Sequence, residues 1–215
     1  MQVDFLRPGG KLYVPGAEKL IPNVTRLVDA ARAGQVFLMS DACVHMPGDE
    51  EFKRFPPHCV RGTPGAEIVP EALAEKSLTI PNRSGVKIPL DFSSVQQVIL
   101  EKQTLDVFDN PNTETMLRRV ASFTDEGAEF FVFGVVTEYC VRLAARGLLQ
   151  RGHRVWLITD AIETLKTPDG DKALDELAAM GAKFIATDDA LTKLDASLVA
   201  ERAAKKPRRP AGTRQ

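Results

Sequence analysis

Apolar positions along this chain switch repeatedly between two periods. From Ala17 to Ala33, Leu20, Val24, Leu27, Val28 and Ala31 recur at three- and four-residue spacing, the stripe of an amphipathic helix, and Gly34 follows as its stop. "QVFLMSD" (residues 35–41) is a short continuous apolar run, the signature of a strand buried on both faces. The same alternation continues downstream. "VQQVILEK" reads as a strand, "ETMLRRVASFTDEG" as a helix, "AEFFVFGVV" as a strand, and a helix bearing Val141, Leu143, Ala144, Leu148 and Leu149 on one face comes next. "HRVWLITDA" (strand), "DKALDELAAMG" (helix), "AKFIATDDA" (strand) and a closing helix complete the order. Such alternation predicts an α/β fold, a three-layer αβα sandwich around a mostly parallel, doubly wound sheet. Between them, residues 42–94 are rich in Pro and Gly, show little periodicity and are expected to form a long functional loop.

Composition narrows the class. With 215 residues, 44% apolar and 27% charged, the expectation is a single domain over residues 1–203 and a basic, disordered tail over 204–215. A net charge of -1 argues against nucleic acid as a partner, and no apolar run is long enough to span a bilayer. Three cysteines without a dense framework point to free thiols in a reducing compartment, with the cytoplasm as the expected location.

One of those thiols sits where the strand "FFVFGVV" turns into a helix. Backbone N–H groups in a first helical turn lack intrahelical partners and stabilise an anion, so Cys140 is either a nucleophile or a space-filling thiol. In an open parallel sheet, ligands bind beyond the carboxyl ends of the strands. Asp41, Cys43 and His45 follow one strand, Lys102 ends another and Cys140 follows a third, so all are expected at one crevice.

Four ordered stretches sharpen this reading: "DFLRPGGKLYVPGAE", "FPPHCVRGTPGAE", "EKQTLDVFDNPN" and "GVVTEYCV". Together they resemble the isochorismatase-like cysteine hydrolases, the group that includes nicotinamidases. The resemblance implies Cys140 as nucleophile and Lys102 as its lysine, with the Val136 and Cys140 N–H groups as oxyanion donors and a cis peptide between Val135 and Val136. It implies an amidase acting through a thioester on a small planar amide, nicotinamide first among the candidates. Ureidoacrylate, maleamate and carbamoyl-sarcosine amidases are sister activities. Phe5, Tyr139 and Phe108 are expected to line the pocket. The expected partners are the small-molecule amide and further copies of the chain.

The resemblance also implies a divalent ion, zinc foremost, held by an Asp-x-His pair and a later His. His58 and His45 match two positions. In that register Cys43 takes the Asp position, and a thiolate with two imidazoles is a sound zinc set; in an alternative register Asp41 is the acid and Cys43 stands in the place of the first His. His153 is expected to be a connector and Cys59 a packing residue. The largest departure is at the start, where "MQVDF" matches only the end of an Asp-x-Gln-x-Asp-Phe pattern. The first strand of the fold and its general-base Asp are therefore expected to be missing, leaving two strand edges unpaired. A start codon set too late, a non-catalytic relative acting as a binding or oligomerisation module, and substitution by Asp4 are the three accounts.

Overall fold

The computed structural model describes residues 1–122 and 128–204, with residues 197–204 as backbone alone. The end of the expected helix after Glu114, from residue 123 to 127, and the expected tail from residue 205 onward lie outside the described residues. Among the described residues there are six strands: β1 (Leu38–Cys43), β2 (Ser77–Ile80), β3 (Gln97–Lys102), β4 (Glu129–Val135), β5 (Arg154–Glu163) and β6 (Lys183–Ile185). Six α-helices accompany them: α1 (Val3–Leu6), α2 (Ile21–Arg32), α3 (Thr113–Ala121), α4 (Arg142–Gln150), α5 (Thr167–Ala179) and α6 (Thr187–Ala204). None of the helices is long and apolar enough to cross a membrane.

All strand pairs are parallel. Side chains alternate between faces, so Leu157 of β5 packs with Ala145 and Leu148 of α4 and Leu177 of α5, while the next residue, Ile158, packs with Leu27 of α2 and Ala190 of α6. This alternation builds the three layers. The expected helix from Ala17 begins as a 3-10 turn over Ala17–Leu20, and α2 starts at Ile21 with Pro22 in its first turn. A proline is tolerated there because its missing N–H would have had no α-helical partner.

Two expectations need correction. Residues 42–94 are not wholly irregular, because Ser77–Ile80 forms β2 against β3, in register from Ser77 opposite Gln97 to Ile80 opposite Leu100. Its alternating exposure, with only Ile80 buried, gave too weak an apolar signal for a strand. The last strand is also shorter than "AKFIATDDA", since α6 begins at Thr187. There the Thr187 N–H and hydroxyl both donate to Asp160 Oδ1, at 2.8 and 2.7 Å.

The sheet is divided. Strands β1, β3 and β2 form one parallel group in the order β1-β3-β2, and β4, β5 and β6 form another in that order. The outer edges of β1 and β4 face a cavity of about 270 Å³ lined by Leu38, Met39, Ser40 and Asp41 on one side and Phe130–Val135 on the other. Beyond Asp41, the edge of β1 is met by a side chain instead of a strand. The Gln2 amide donates to the Cys43 carbonyl at 2.7 Å and accepts from the Cys43 N–H at 2.8 Å.

Candidate active site

Strand register brings the site together. Cys43 and Lys102 are direct partners at the carboxyl ends of β1 and β3, and Asp41, two residues before Cys43, shares its face. The Lys102 side chain is fully buried. Its ammonium donates to Cys43 Sγ at 3.1 Å, to Cys140 Sγ at 3.3 Å and to the Thr104 carbonyl at 3.1 Å, and Asp41 Oδ1 stands 3.6 Å away. A buried ammonium is costly unless its donors are matched by acceptors and its charge is opposed. Here two sulfurs, a carbonyl and a carboxylate do this.

Cys140 reaches the lysine from the end of β4. It does not lie in an α-helical first turn, as its pattern implied, but in a π-helical turn over Thr137–Val141 that feeds into α4. Such turns widen the helix by one residue and are frequent at functional sites. The Val135–Val136 peptide is cis, as expected. Glu138, next in the turn, is buried and accepts from the Thr164 hydroxyl and from the Leu165 and Lys166 N–H groups, at 2.6 to 3.1 Å. These bonds pin the turn to the end of β5.

Electrostatically the two thiols are one unit. The Cys43 thiol is lowered to about 7, foremost by its hydrogen bond with Cys140 and then, against the cost of burial, by the Lys102 charge. Cys140 is pushed well up, first by that same bond and then by burial. The pair therefore holds its first negative charge jointly beside Lys102, with Cys43 lowered and Cys140 raised. Burial alone would pull Lys102 down, but the negative partners Cys140, Cys43 and Asp41 outweigh it and hold its pKa above the ordinary value. The lysine is cationic.

Beside this trio the ligand atoms of Cys43, His45 and His58 lie within 4.8 Å of one another, all three residues buried. The outward nitrogen of each imidazole is engaged: His45 Nδ1 with Asp49 Oδ2 at 3.0 Å, and His58 Nδ1 with the Pro56 carbonyl at 2.8 Å. Both Nε2 atoms are thereby turned toward the common centre. His45 Nε2 is buried with no hydrogen-bond partner among the described residues, the condition of a donor awaiting an electrophile. Burial holds His58 below its usual range and so neutral, the form that binds metal. Glu51 Oε1 lies 3.8 Å from His45 Nε2 and 3.6 Å from His58 Nε2, an acidic neighbour the sequence reading did not single out. The donor set fits a zinc-type cation. Asp41 does not belong to it, because its carboxylate is turned to Lys102. Of the two registers, the structure brings Cys43 to the histidines.

The remaining residues divide. The Phe5 ring lies 5.3 Å from His58, and Phe55 bridges His58 and Tyr139 at 6.3 and 5.4 Å, so Phe5 borders the histidines and Tyr139 stands one ring further out. Phe52 and Phe55 were missed by sequence reasoning, although Phe55 opens the "FPPH" stretch and Phe52 lies three residues before it. Phe108 contributes to the cavity wall, but its ring is committed to α4. A Cβ on Gly147 would collide with it, and the Arg151 guanidinium lies 3.8 Å above it. Asp4 is structural, accepting from the Lys11 and Cys59 N–H groups at 3.0 and 2.7 Å. Cys59 is buried with its thiol pushed up, and His153 packs on Phe130 at 4.9 Å. Neither joins the site.

With this geometry in place, comparison with known proteins gives concordant results. The isochorismatase domain family matches residues 1–85 and 82–189. The nicotinamidase of Escherichia coli (strain K12) is 25% identical, over 88% of this chain and 92% of its own length. Among solved structures, the pyrazinamidase of Pyrococcus horikoshii in complex with zinc superposes with a TM-score of 0.67 at 28% identity, over 86% of this chain and 94% of the other. An isochorismatase-like hydrolase from Alkaliphilus metalliredigens superposes with a TM-score of 0.72 at 20% identity, over 90% and 94%.

Proposed function

The chain belongs to the isochorismatase domain family, and we propose that it is a cysteine amidohydrolase that converts a small planar amide, nicotinamide first, to its acid and ammonia. The observation that carries this reading is the fully buried Lys102 ammonium, 3.3 Å from Cys140 Sγ and 3.6 Å from Asp41 Oδ1. A cysteine, a lysine and a carboxylate held this way form a nucleophile with a fixed counter-charge and a proton carrier.

Cys140 adds as thiolate to the amide carbon, and the carbonyl oxygen gains the electron pair. The Val136 and Cys140 N–H groups are the donors for that oxyanion. Asp41, which takes the place of the general base expected from the first strand, accepts the thiol proton and returns it to the leaving nitrogen, while Lys102 holds both anions. Ammonia departs, a thioester remains, and water cleaves it to acid and free thiol. Cys43, His45 and His58 would hold a divalent cation, which when bound supplies a Lewis-acidic anchor for a ring nitrogen of the substrate. Phe5 and Tyr139 then stack on or border that ring.

A non-catalytic binding role is the second reading, favoured by the divided sheet. Ammonia release from a panel of nicotinamide, pyrazinamide, maleamate, ureidoacrylate and carbamoyl-sarcosine, with zinc present, separates them. Turnover of nicotinamide by the native chain but not by Cys140→Ala supports the amidase. Release from no member of the panel refutes it.

A further inference from the structure

The second thiol beside Lys102 is not needed by the amidase chemistry, yet it is as close to the lysine as the nucleophile is. Cys43 Sγ and Cys140 Sγ accept from the same ammonium nitrogen, at 3.1 and 3.3 Å. They come from segments 97 residues apart in the chain, so their meeting is a property of the folded state alone. We propose that Cys43 and Cys140 form a reversible redox pair, which a hydroperoxide closes into an intramolecular disulfide, removing the nucleophile and one metal donor in a single event.

The step balances as follows. A thiolate of the pair, reached through the partly exposed Cys140 at the cavity wall, attacks the peroxide. The O–O bond breaks, the sulfur becomes a sulfenic acid, and the departing hydroxide (alkoxide for an organic hydroperoxide) is protonated to water (or the alcohol). The second thiol then attacks the sulfenic sulfur. An S–S bond forms, the S–O bond breaks, and a second water leaves with the second thiol's proton. Each sulfur is oxidised by one electron overall, and the peroxide is reduced by two.

Closure needs the sulfurs, both within 3.3 Å of the Lys102 nitrogen, to approach to about 2 Å. Lys102 then loses its sulfur acceptors but keeps Asp41 Oδ1 and the Thr104 carbonyl, so its charge is not stranded. Cys59 does not compete, because its Sγ is aimed at the Gly65 carbonyl at 3.8 Å and its buried thiol is held protonated. The inference is independent of which amide, if any, the chain hydrolyses.

The test uses the native full-length chain, chelated, exposed to dilute hydrogen peroxide, quenched in acid and mapped by non-reducing peptide mass spectrometry. The expected result is loss of two of the three free thiols, a Cys43–Cys140 cross-linked peptide about 2 Da lighter than its parts, and full return of thiols with dithiothreitol. In Cys43→Ser, with native circular dichroism verified, Cys140 should instead progress to the sulfinic and sulfonic acids, which dithiothreitol does not reverse. Cys59→Ser should cross-link as the native chain does. A native chain whose Cys140 over-oxidises without cross-linking, or a cross-link that contains Cys59, overturns the proposal. So does a Cys43→Ser protein whose Cys140 remains reversibly protected.

Discussion

Replacing Lys102 by methionine keeps the unbranched stem, one atom shorter, and removes its charge, which tests the electrostatic role of the lysine. Two unit charges 3.3 Å apart interact by about 5 kcal/mol at an effective dielectric of 20. Not all of this is lost, because the Cys140 bond that contributes most to the lowered Cys43 pKa survives and water enters the vacated space. We therefore expect about half, roughly 2 pKa units or 2.7 kcal/mol at 1.36 kcal/mol per unit. The thiol pair of the native chain, whose first proton leaves near 7, should then release it near 9 in Lys102→Met. The assay is the rate of iodoacetamide alkylation against pH in chelator, with the modified residue mapped by mass spectrometry. At pH 7 the variant should react about fifty-fold more slowly, following its thiolate fraction, while high pH restores the rate. Far-ultraviolet circular dichroism and thermal unfolding control for the fold. A midpoint that moves by less than about half a unit would show that Lys102 does not stabilise the thiolate and would remove it from the nucleophile's environment.

Cys140→Ala should abolish amide hydrolysis while shifting thermal unfolding by only a few degrees, because one sulfur at a partly exposed site leaves little cavity; retained turnover would exclude Cys140 as nucleophile. His45→Ala and His58→Ala should each lose bound zinc by at least about ten-fold in affinity, read by competition with a chromophoric chelator, and Glu51→Gln should weaken it less. Chelated protein should gain stability between pH 7 and 9 relative to Cys43→Ser. The folded Cys43 thiol is lowered to about 7, so its contribution is complete above the unfolded value near 9 and is lost as pH falls through 7. A flat difference in urea midpoints over that window would refute the ionised Cys43. Asp41→Asn should slow acyl-enzyme formation far more than it changes substrate binding, and an unchanged single-turnover rate would leave another group as proton carrier.

Much of this arrangement was legible in the chain because it rests on period. Continuous apolar runs gave β1, β3, β4 and β5, and the rule that ligands gather at carboxyl strand ends placed Asp41, Cys43, Lys102 and Cys140 together before any coordinates. What escaped reading is set by contacts that period does not encode. β2 has one buried residue and is stabilised by its pairing with β3, so its apolar signal is weak. Asp41 and Cys43 are two apart on one strand and share a face, so spacing could not tell which would meet the histidines. Tertiary geometry decides: the Asp41 carboxylate meets Lys102, whereas Cys43, the register partner of Lys102, stands within reach of both His45 and His58. Phe108 lies at the cavity wall, and the absence of a side chain at Gly147 lets its ring pack closely on α4.

Cys43 also joins two functions that would otherwise be separate. Its sulfur accepts from Lys102 and is a donor of the metal cluster, so one thiolate would answer to two cations. A bound metal draws the Cys43 charge toward the histidines and leaves the Lys102 ammonium less neutralised, which in turn favours ionisation of Cys140, the other sulfur it touches. Without metal, the bond between the two thiols lowers Cys43 and raises Cys140. Metal loading should therefore transfer the reactive thiolate from Cys43 to Cys140. Mapping alkylation sites at pH 7 with and without zinc reads this directly: modification at Cys43 should dominate in chelator and at Cys140 with zinc. The same site modified under both conditions would mean that the lysine and the cluster do not communicate through Cys43.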